Sequence, residues 1–188
     1  MRLILASASP RRLDLLARIG VVPDAVIPGD IDETPRRGEL PVRYACRMAA
    51  EKAAAVAEAG ALTLAADTVV AAGRRILPKA ENEAEARAAL SLLSGRRHRV
   101  HSAVTLVDAA GQARHRLSSS IVIFKPLSDE ELDSYLASGE WRGKAGGYAI
   151  QGSAEGFCLW LEGSHSGVMG LPLYETRKLL VAAGLLDG

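Results

Sequence analysis

Four apolar residues, Leu3-Ile4-Leu5-Ala6, lead without alternation into Ser7-Ala8-Ser9-Pro10-Arg11-Arg12, and apolar positions then recur at Leu13, Leu15, Leu16 and Ile19. The unalternating run reads as a buried strand, and the spacing that follows predicts a helix over residues 10–19. Ser9 suits the N-cap, and Pro10 suits the first helical position, where its missing N–H costs nothing. A strand that hands over to a helix within three residues points to a sheet covered by helices. Backbone N–H groups at such a helix start attract anions, and two hydroxyls and two guanidinium forks stand beside them. Two readings fit these residues: a phosphate cradle, or a capped helix with two solvated arginines.

The rest of the chain repeats the alternation. An Ala-rich helix is predicted over 41–59 after the irregular, proline-punctuated stretch 21–40. A second apolar strand over 62–66 is expected to end at Asp67-Thr68, or to continue through Val69-Val70. Ile76-Leu77 reads as a brief strand and 81–93 as a helix. Strands over 97–107 and 114–125 flank the turn Asp108–Gly111 as a hairpin. Ser128 and Glu131 have capping-box spacing for a helix that stops before Gly139. A glycine-rich loop, 143–147, precedes a strand at 157–161 and a closing helix at 173–183. The expected class is α/β: an elongated mixed sheet with flanking helices.

No repeat or linker divides the 188 residues, so one domain over 1–188 is expected. The net charge of +1 excludes a global field that would draw the chain to nucleic acid or an anionic membrane. With 4% aromatic residues there is no stacking platform either, which disfavours nucleic acid as a partner. Cys46 and Cys158 are too few for a disulfide framework and read as small core residues. No apolar stretch approaches the ~20 residues of a membrane span and no secretory leader is visible, so a cytoplasmic location is expected.

Several residues are candidates for chemistry. Asp67, placed at the expected end of a strand, can hold a divalent cation or orient a water, or simply cap a turn. Lys52 in its helix and Lys79 on its loop read as surface charges when taken singly. Lys144 lies between glycines whose N–H groups can form an anion-binding nest. Asp32 and Glu33 are hard oxygen donors for Mg²⁺, or plain solvated charge. His98 and His101 fall on opposite faces of a strand, which rejects them as a zinc pair. Ser164, His165 and Ser166 lack the nucleophile-elbow pattern of a hydrolase.

Taken together, the ordered segments resemble the Maf family, the septum-formation-inhibitor-like nucleotide pyrophosphatases. The matching pieces are Ser7 to Arg12, Glu51-Lys52-Ala53, Ala66 to Val70, Leu93-Ser94-Gly95 with His98-Arg99-Val100, Lys144 to Gly152, Gly163-Ser164 and Val168 to Pro172. The resemblance implies a fold like that of the inosine-triphosphate pyrophosphatases, two lobes around a central cleft. It implies hydrolysis of a nucleoside triphosphate to the monophosphate and pyrophosphate with a divalent metal, Mg²⁺ or Mn²⁺. Carried over, Ser7, Ser9, Arg11, Arg12, Lys52, Lys79 and Lys144 bind substrate, Asp67 accepts the proton of the attacking water beside the metal, and Glu33 is a second metal contributor. Arg12, Lys79 and Gln151, with Thr68, resemble the branch acting on dTTP and UTP. The alternatives are a purine or methylated-guanine triphosphate, or a nucleotide-binding regulator of septum formation. The family also allows a homodimer. One departure is Ala80, where the family has proline.

Overall fold

A computed structural model describes residues 1–187. The chain runs β1 (Leu3–Ala6), α1 (Pro10–Arg18), β2 (Ala25–Val26), α2 (Pro41–Ala55), β3 (Leu62–Ala72), β4 (Arg75–Leu77), α3 (Glu83–Leu93), β5 (Arg97–Val107), β6 (Ala113–Phe124), α4 (Asp129–Ser138), a 3₁₀ turn (Ser153–Phe157), β7 (Cys158–Glu162), α5 (His165–Met169) and α6 (Leu173–Ala182). The strands form one seven-stranded sheet ordered β2-β1-β3-β5-β6-β7, with β4 added to β3. β1 is parallel to β2 and β3, while β3, β5, β6 and β7 pair antiparallel. This is the mixed α/β architecture that the alternating pattern predicts.

The largest core cluster packs α1, α3, α4 and α6 residues such as Leu16, Leu90, Leu136 and Leu180 around the sheet residues Leu64, Val104 and Phe124. Each such side chain contributes on the order of 1.5–3 kcal/mol by leaving water. α2 covers the other face on two smaller clusters. Tyr44, Ala45, Met48 and Ala49 meet Val69 and Ala103, and Ala53 meets Ala6, Ala65 and Val107. Its alanines let the helix lie close to the strands, which matters for the lysine it carries. Among the described residues no helix is long and apolar enough to cross a membrane.

Three expectations need correction. α2 stops at Ala55, not residue 59, because the chain must return to begin β3 beside Leu3. β3 takes the longer of its two expected courses, through Val69-Val70, and runs past it to Ala72, since β5 pairs with it from Thr63 to Ala71. Cys46 and Cys158 are free thiols that are only partly buried, at the margins of the core. The short helix α5 was hidden in sequence by its glycine and serines; Ser164 Oγ caps it by accepting from the Gly167 N–H at 2.9 Å.

Candidate functional site

The register of β3 creates the site. On one edge β3 is paired along nearly its whole length by β5. On the other, β1 stops at Ala6 opposite Ala65, and β4 begins its pairing only at Leu77 opposite Val70. The sheet therefore has a notch beside residues 66–69. A cavity of about 480 Å³ opens there, bounded by the β1–α1 turn, α2, the segment after β4 and the glycine-rich loop. Asp67 lies mid-strand, yet just beyond the carboxyl end of its parallel neighbour β1, where α/β sheets place ligands.

On the α2 side of the notch, Lys52 and Asp67 are both buried, 7% and 6% exposed. Lys52 Nζ donates to Asp67 Oδ1 at 2.7 Å and pairs with Glu33 Oε1 at 2.9 Å. Lys79 Nζ reaches Glu33 Oε2 at 3.4 Å. Burial pushes the Glu33 carboxyl up, but the bonds and charges of Lys52 and then Lys79 outweigh it and hold it below the usual carboxylate range. Asp67 Oδ2 makes no hydrogen bond among the described residues and is open to the cavity.

The β1–α1 turn supplies the anion-binding wall. Ser7 Oγ accepts from the Ser9 N–H at 3.1 Å and from Arg12 Nη1 at 3.0 Å, while Arg12 Nε donates to the Gly170 carbonyl at 2.9 Å. Burial lowers the Arg12 pKa, and the charge of Asp67 opposes that shift. Arg11 is also lowered by burial, and its Nε is buried without a partner. Ser9 stands at the N-cap, but its hydroxyl makes no cap bond, contrary to its expected role. The N–H groups of Ala8 and Arg11 likewise have no partner among the described residues. Unpaired donors cost free energy unless a ligand or solvent meets them.

The glycine-rich loop behaves differently from its sequence reading. It is no anion nest: the N–H groups of Gly143, Lys144, Gly146 and Gly147 are spent on Ala80, Trp141, Pro78 and Lys144 carbonyls. The Ala80 N–H in turn donates to the Lys144 carbonyl at 3.2 Å, a bond that proline at this position could not make. Gly146 has φ +68° and lies so close to Val70 that a Cβ would fall 2.8 Å from its Cγ1. The loop thus clamps Lys79 and Lys144 to one wall of the cavity. Lys144 Nζ donates to the Arg142 carbonyl at 3.1 Å, and burial followed by repulsion from Arg11 lowers its pKa.

Gln151 lies exposed at the cavity mouth with its amide uncommitted among the described residues. Its segment is fixed from both sides. Tyr148 Oη bonds His98 Nε2 at 2.8 Å, and Glu140 Oε2 accepts from the Ser153 N–H at 2.9 Å. Thr68 touches the cavity, but its hydroxyl pairs with Ser102 Oγ at 2.9 Å on the opposite face from Asp67. Asp32 is not at the site; it is exposed and accepts from the Thr34 N–H at 2.9 Å. His98 and His101 have separate partners, Tyr148 and Ser119. Ser166 Oγ accepts from the Leu173 N–H, a structural bond.

The donor set fits a hard divalent cation. Asp67 and Glu33 converge on one lysine, and the described residues hold no group of three His, Cys, Asp or Glu that would make an all-protein cage. Mg²⁺ and similar ions are held by one or two carboxylates, with phosphate and water oxygens completing the shell. Sequence reading missed Gly29, which packs on the Lys52 backbone, and Tyr44, whose hydroxyl donates to the Glu33 carbonyl at 2.7 Å.

The profile of the Maf family, described as Maf-like protein, matches residues 2–183. The protein of Novosphingobium aromaticivorans named dTTP/UTP pyrophosphatase is 65% identical over 97% of this chain and 92% of its own length. Proteins of the same name are 65% identical in Zymomonas mobilis, over 97% and 91%, and 60% identical in Rhodospirillum rubrum, over 99% and 90%. A solved nucleoside-triphosphatase / dITP/XTP pyrophosphatase from Mycobacterium abscessus aligns at 22% identity over 68% of this chain and 76% of that one, with a TM-score of 0.40.

Proposed function

We propose that this chain, which belongs to the Maf family, hydrolyses dTTP and UTP to the monophosphate and pyrophosphate. The observation that carries the chemistry is the Lys52–Asp67–Glu33 cluster on the floor of a cavity whose other walls present Arg11, Arg12, Lys79 and Lys144. Relatives at 60–65% identity over nearly the whole chain, all named dTTP/UTP pyrophosphatase, support the choice of substrate.

In this reading the triphosphate lies against the start of α1. The free N–H groups of Ala8 and Arg11, the Ser9 hydroxyl and the unpartnered Arg11 Nε receive its oxygens. Asp67 Oδ2 accepts the proton of a water that attacks the α-phosphorus, whose bond to the α,β-bridging oxygen breaks as that oxygen leaves with the pyrophosphate. Lys52 fixes the Asp67 carboxylate through Oδ1 and leaves Oδ2 for that water. Lys79, Lys144 and the arginines stabilise charge that develops on the departing pyrophosphate. A divalent cation held by Asp67 and Glu33 would supply neutralisation of phosphate charge and polarisation of the reacting phosphoryl group. The Gln151 amide has both a donor and an acceptor, the pair required by O4 and N3–H of a pyrimidine.

The test is a panel of nucleoside triphosphates, canonical and modified, assayed with Mg²⁺ or Mn²⁺ for release of pyrophosphate and orthophosphate. dTTP and UTP should give pyrophosphate and monophosphate at the highest kcat/KM. Stepwise orthophosphate release would refute the reaction, and faster turnover of a purine triphosphate would refute the substrate choice.

A further inference from the structure

The carboxylate of Glu33 enters the cavity from a segment with no helix or strand, and its own polar contacts are to Lys52 and Lys79. In the proposed reaction Lys79 serves the pyrophosphate and Lys52 is shared with Asp67, so neither contact is committed to Glu33 through turnover. Its main chain is held instead, by α2. Tyr44 Oη donates to the Glu33 carbonyl at 2.7 Å, and Arg47 Nη2 donates to the next carbonyl, of Thr34, at 3.1 Å. Arg47 also grips the far end of the segment through a two-pronged pair with Glu39, Nε to Oε1 and Nη2 to Oε2, both 2.7 Å. That pair is well shielded, with side chains 13% and 9% exposed. The guanidinium also lies over the Tyr44 ring at 5.5 Å. Neither Tyr44 nor Arg47 lines the cavity.

Tyr44, Arg47 and Lys52 belong to one helix, and each contacts this strap, residues 28–39. Tyr44 and Arg47 are three apart and Arg47 and Glu51 four apart, so these are neighbours on the helix surface, and Lys52 lies two turns beyond Tyr44. The groups that hold the Glu33 main chain and the lysine that meets its carboxylate therefore belong to the same helix. We infer that Tyr44 and Arg47 are positioning residues that hold the Glu33 carboxylate at the reacting site through the strap. This rests on the proposed role of Glu33, and the experiment separates the two.

The experiment measures kcat and KM for dTTP in Tyr44→Phe, Arg47→Met, Glu33→Gln and the two double variants, with Tm and tryptic cleavage after Arg36 and Arg37 as non-catalytic readouts. Tyr44→Phe loses one hydroxyl and should fold normally. It should lower kcat roughly tenfold, with KM changed far less, since losing one bond or displacing a group by a fraction of an ångström has that scale. Arg47→Met should lower kcat at least as much and speed cleavage after Arg36 or Arg37. Both losses should largely vanish in the Glu33→Gln background, because a displaced group can only be lost once. A Tyr44→Phe enzyme at the wild-type rate, or losses that add in full to that of Glu33→Gln, would overturn the positioning role while leaving Glu33 its function. A wild-type rate for Glu33→Gln itself would overturn the role of Glu33, and the positioning role with it.

Discussion

Gly29→Ala tests the seating of the strap without touching a charged group. Gly29 is the point where the strap crosses α2, and a Cβ there would lie 2.8 Å from the Lys52 carbonyl oxygen, 3.0 Å from its Cα and 3.2 Å from its Cβ. The two closest atoms are helix backbone and cannot rotate away. Ordinary contact between carbon atoms begins near ~3.5 Å, so the strap must lift by about 0.5 Å. The φ of Gly29 is not in the left-handed range, so the perturbation is steric only. Overpacking of this kind costs about 1–3 kcal/mol, against a gain of about 0.4–1 kcal/mol from a stiffer unfolded chain. The net destabilisation, up to roughly 2.5 kcal/mol, lowers Tm by as much as about 10 °C at this chain length. Raising Glu33 from Lys52 by half an ångström should also lower kcat/KM for dTTP roughly tenfold, since about 1 Å of misplacement can cost a hundredfold. The assay is thermal unfolding beside pyrophosphate release. Gly156→Ala is the control, because no atom lies within 4 Å of its added methyl. Gly29→Ala with wild-type Tm and wild-type turnover would refute the close approach of strap and helix.

Asp67→Asn should lower kcat by about 10²–10⁴, the scale of a lost general base, with dTTP binding retained in a direct titration; near-normal turnover would remove Asp67 from catalysis. Gln151→Ala should reduce the preference for pyrimidine over purine triphosphates by roughly tenfold, and an unchanged ratio would place base selection elsewhere. In acid, burial holds His98 down at about 4 from 6.5, so the unfolded chain takes up that proton first and stability should fall as pH drops from 6.5. Glu39, held at about 2 chiefly by its bonds from Arg47, contributes stability that is present above 4.5 and lost as pH falls towards 2. Glu39→Gln should flatten this lower limb in urea titrations run across pH, and an unaltered slope would count against the Arg47–Glu39 pair as its source. Lys52→Met with Asp67→Leu should abolish turnover yet leave Tm equal or higher, because apolar replacement of a buried ion pair is often neutral or stabilising by about 1–4 kcal/mol.

How much of this could be read from sequence differs with the kind of contact involved. Ser7 to Arg12 announced its geometry because serine, proline and arginine there have local meanings: a turn, a helix start and a donor set. Lys52 and Lys79 carry no such local mark and become legible only through the ordered resemblance across the chain, whereas Asp67 is marked by its position after an apolar run. Asp67 follows the apolar run 62–66 and so reads as the end of a strand, although it lies in the middle of one. The notch that admits it comes from β1 stopping and β4 starting on the neighbouring edge, a register that sequence periodicity does not encode. The glycine-rich loop reads as an anion nest only while its partner is unknown; residues 78–80 take up its donors. Ser9 fits the cap statistically, but the structure uses its hydroxyl for no cap bond. The Tyr44 and Arg47 contacts join a helix to an irregular strap, and no pattern in either segment signals the other.

The charges of the cavity make more sense as preparation for a ligand than as support for the fold. The chain carries a net charge of only +1, yet the cavity gathers five cationic side chains, Arg11, Arg12, Lys52, Lys79 and Lys144, against two carboxylates. Left alone, that excess is repulsive: Arg11 depresses both Arg12 and Lys144. A buried ion pair such as Lys52 with Asp67 is weak evidence for stability, since desolvation offsets much of its attraction. A triphosphate brings roughly four negative charges, and charge-assisted bonds to Arg and Lys are among the strong ones. It would quench the repulsion among the cations and meet the donors left open at Arg11, Ala8 and Ser9. The cost of assembling the field is then met in folding, before substrate arrives, so little reorganisation is left for the reacting step. The strap completes the same logic. Lys52 cannot hold Glu33 and fix Asp67 equally well, so α2 takes hold of the Glu33 backbone through Tyr44 and leaves the lysine to Asp67.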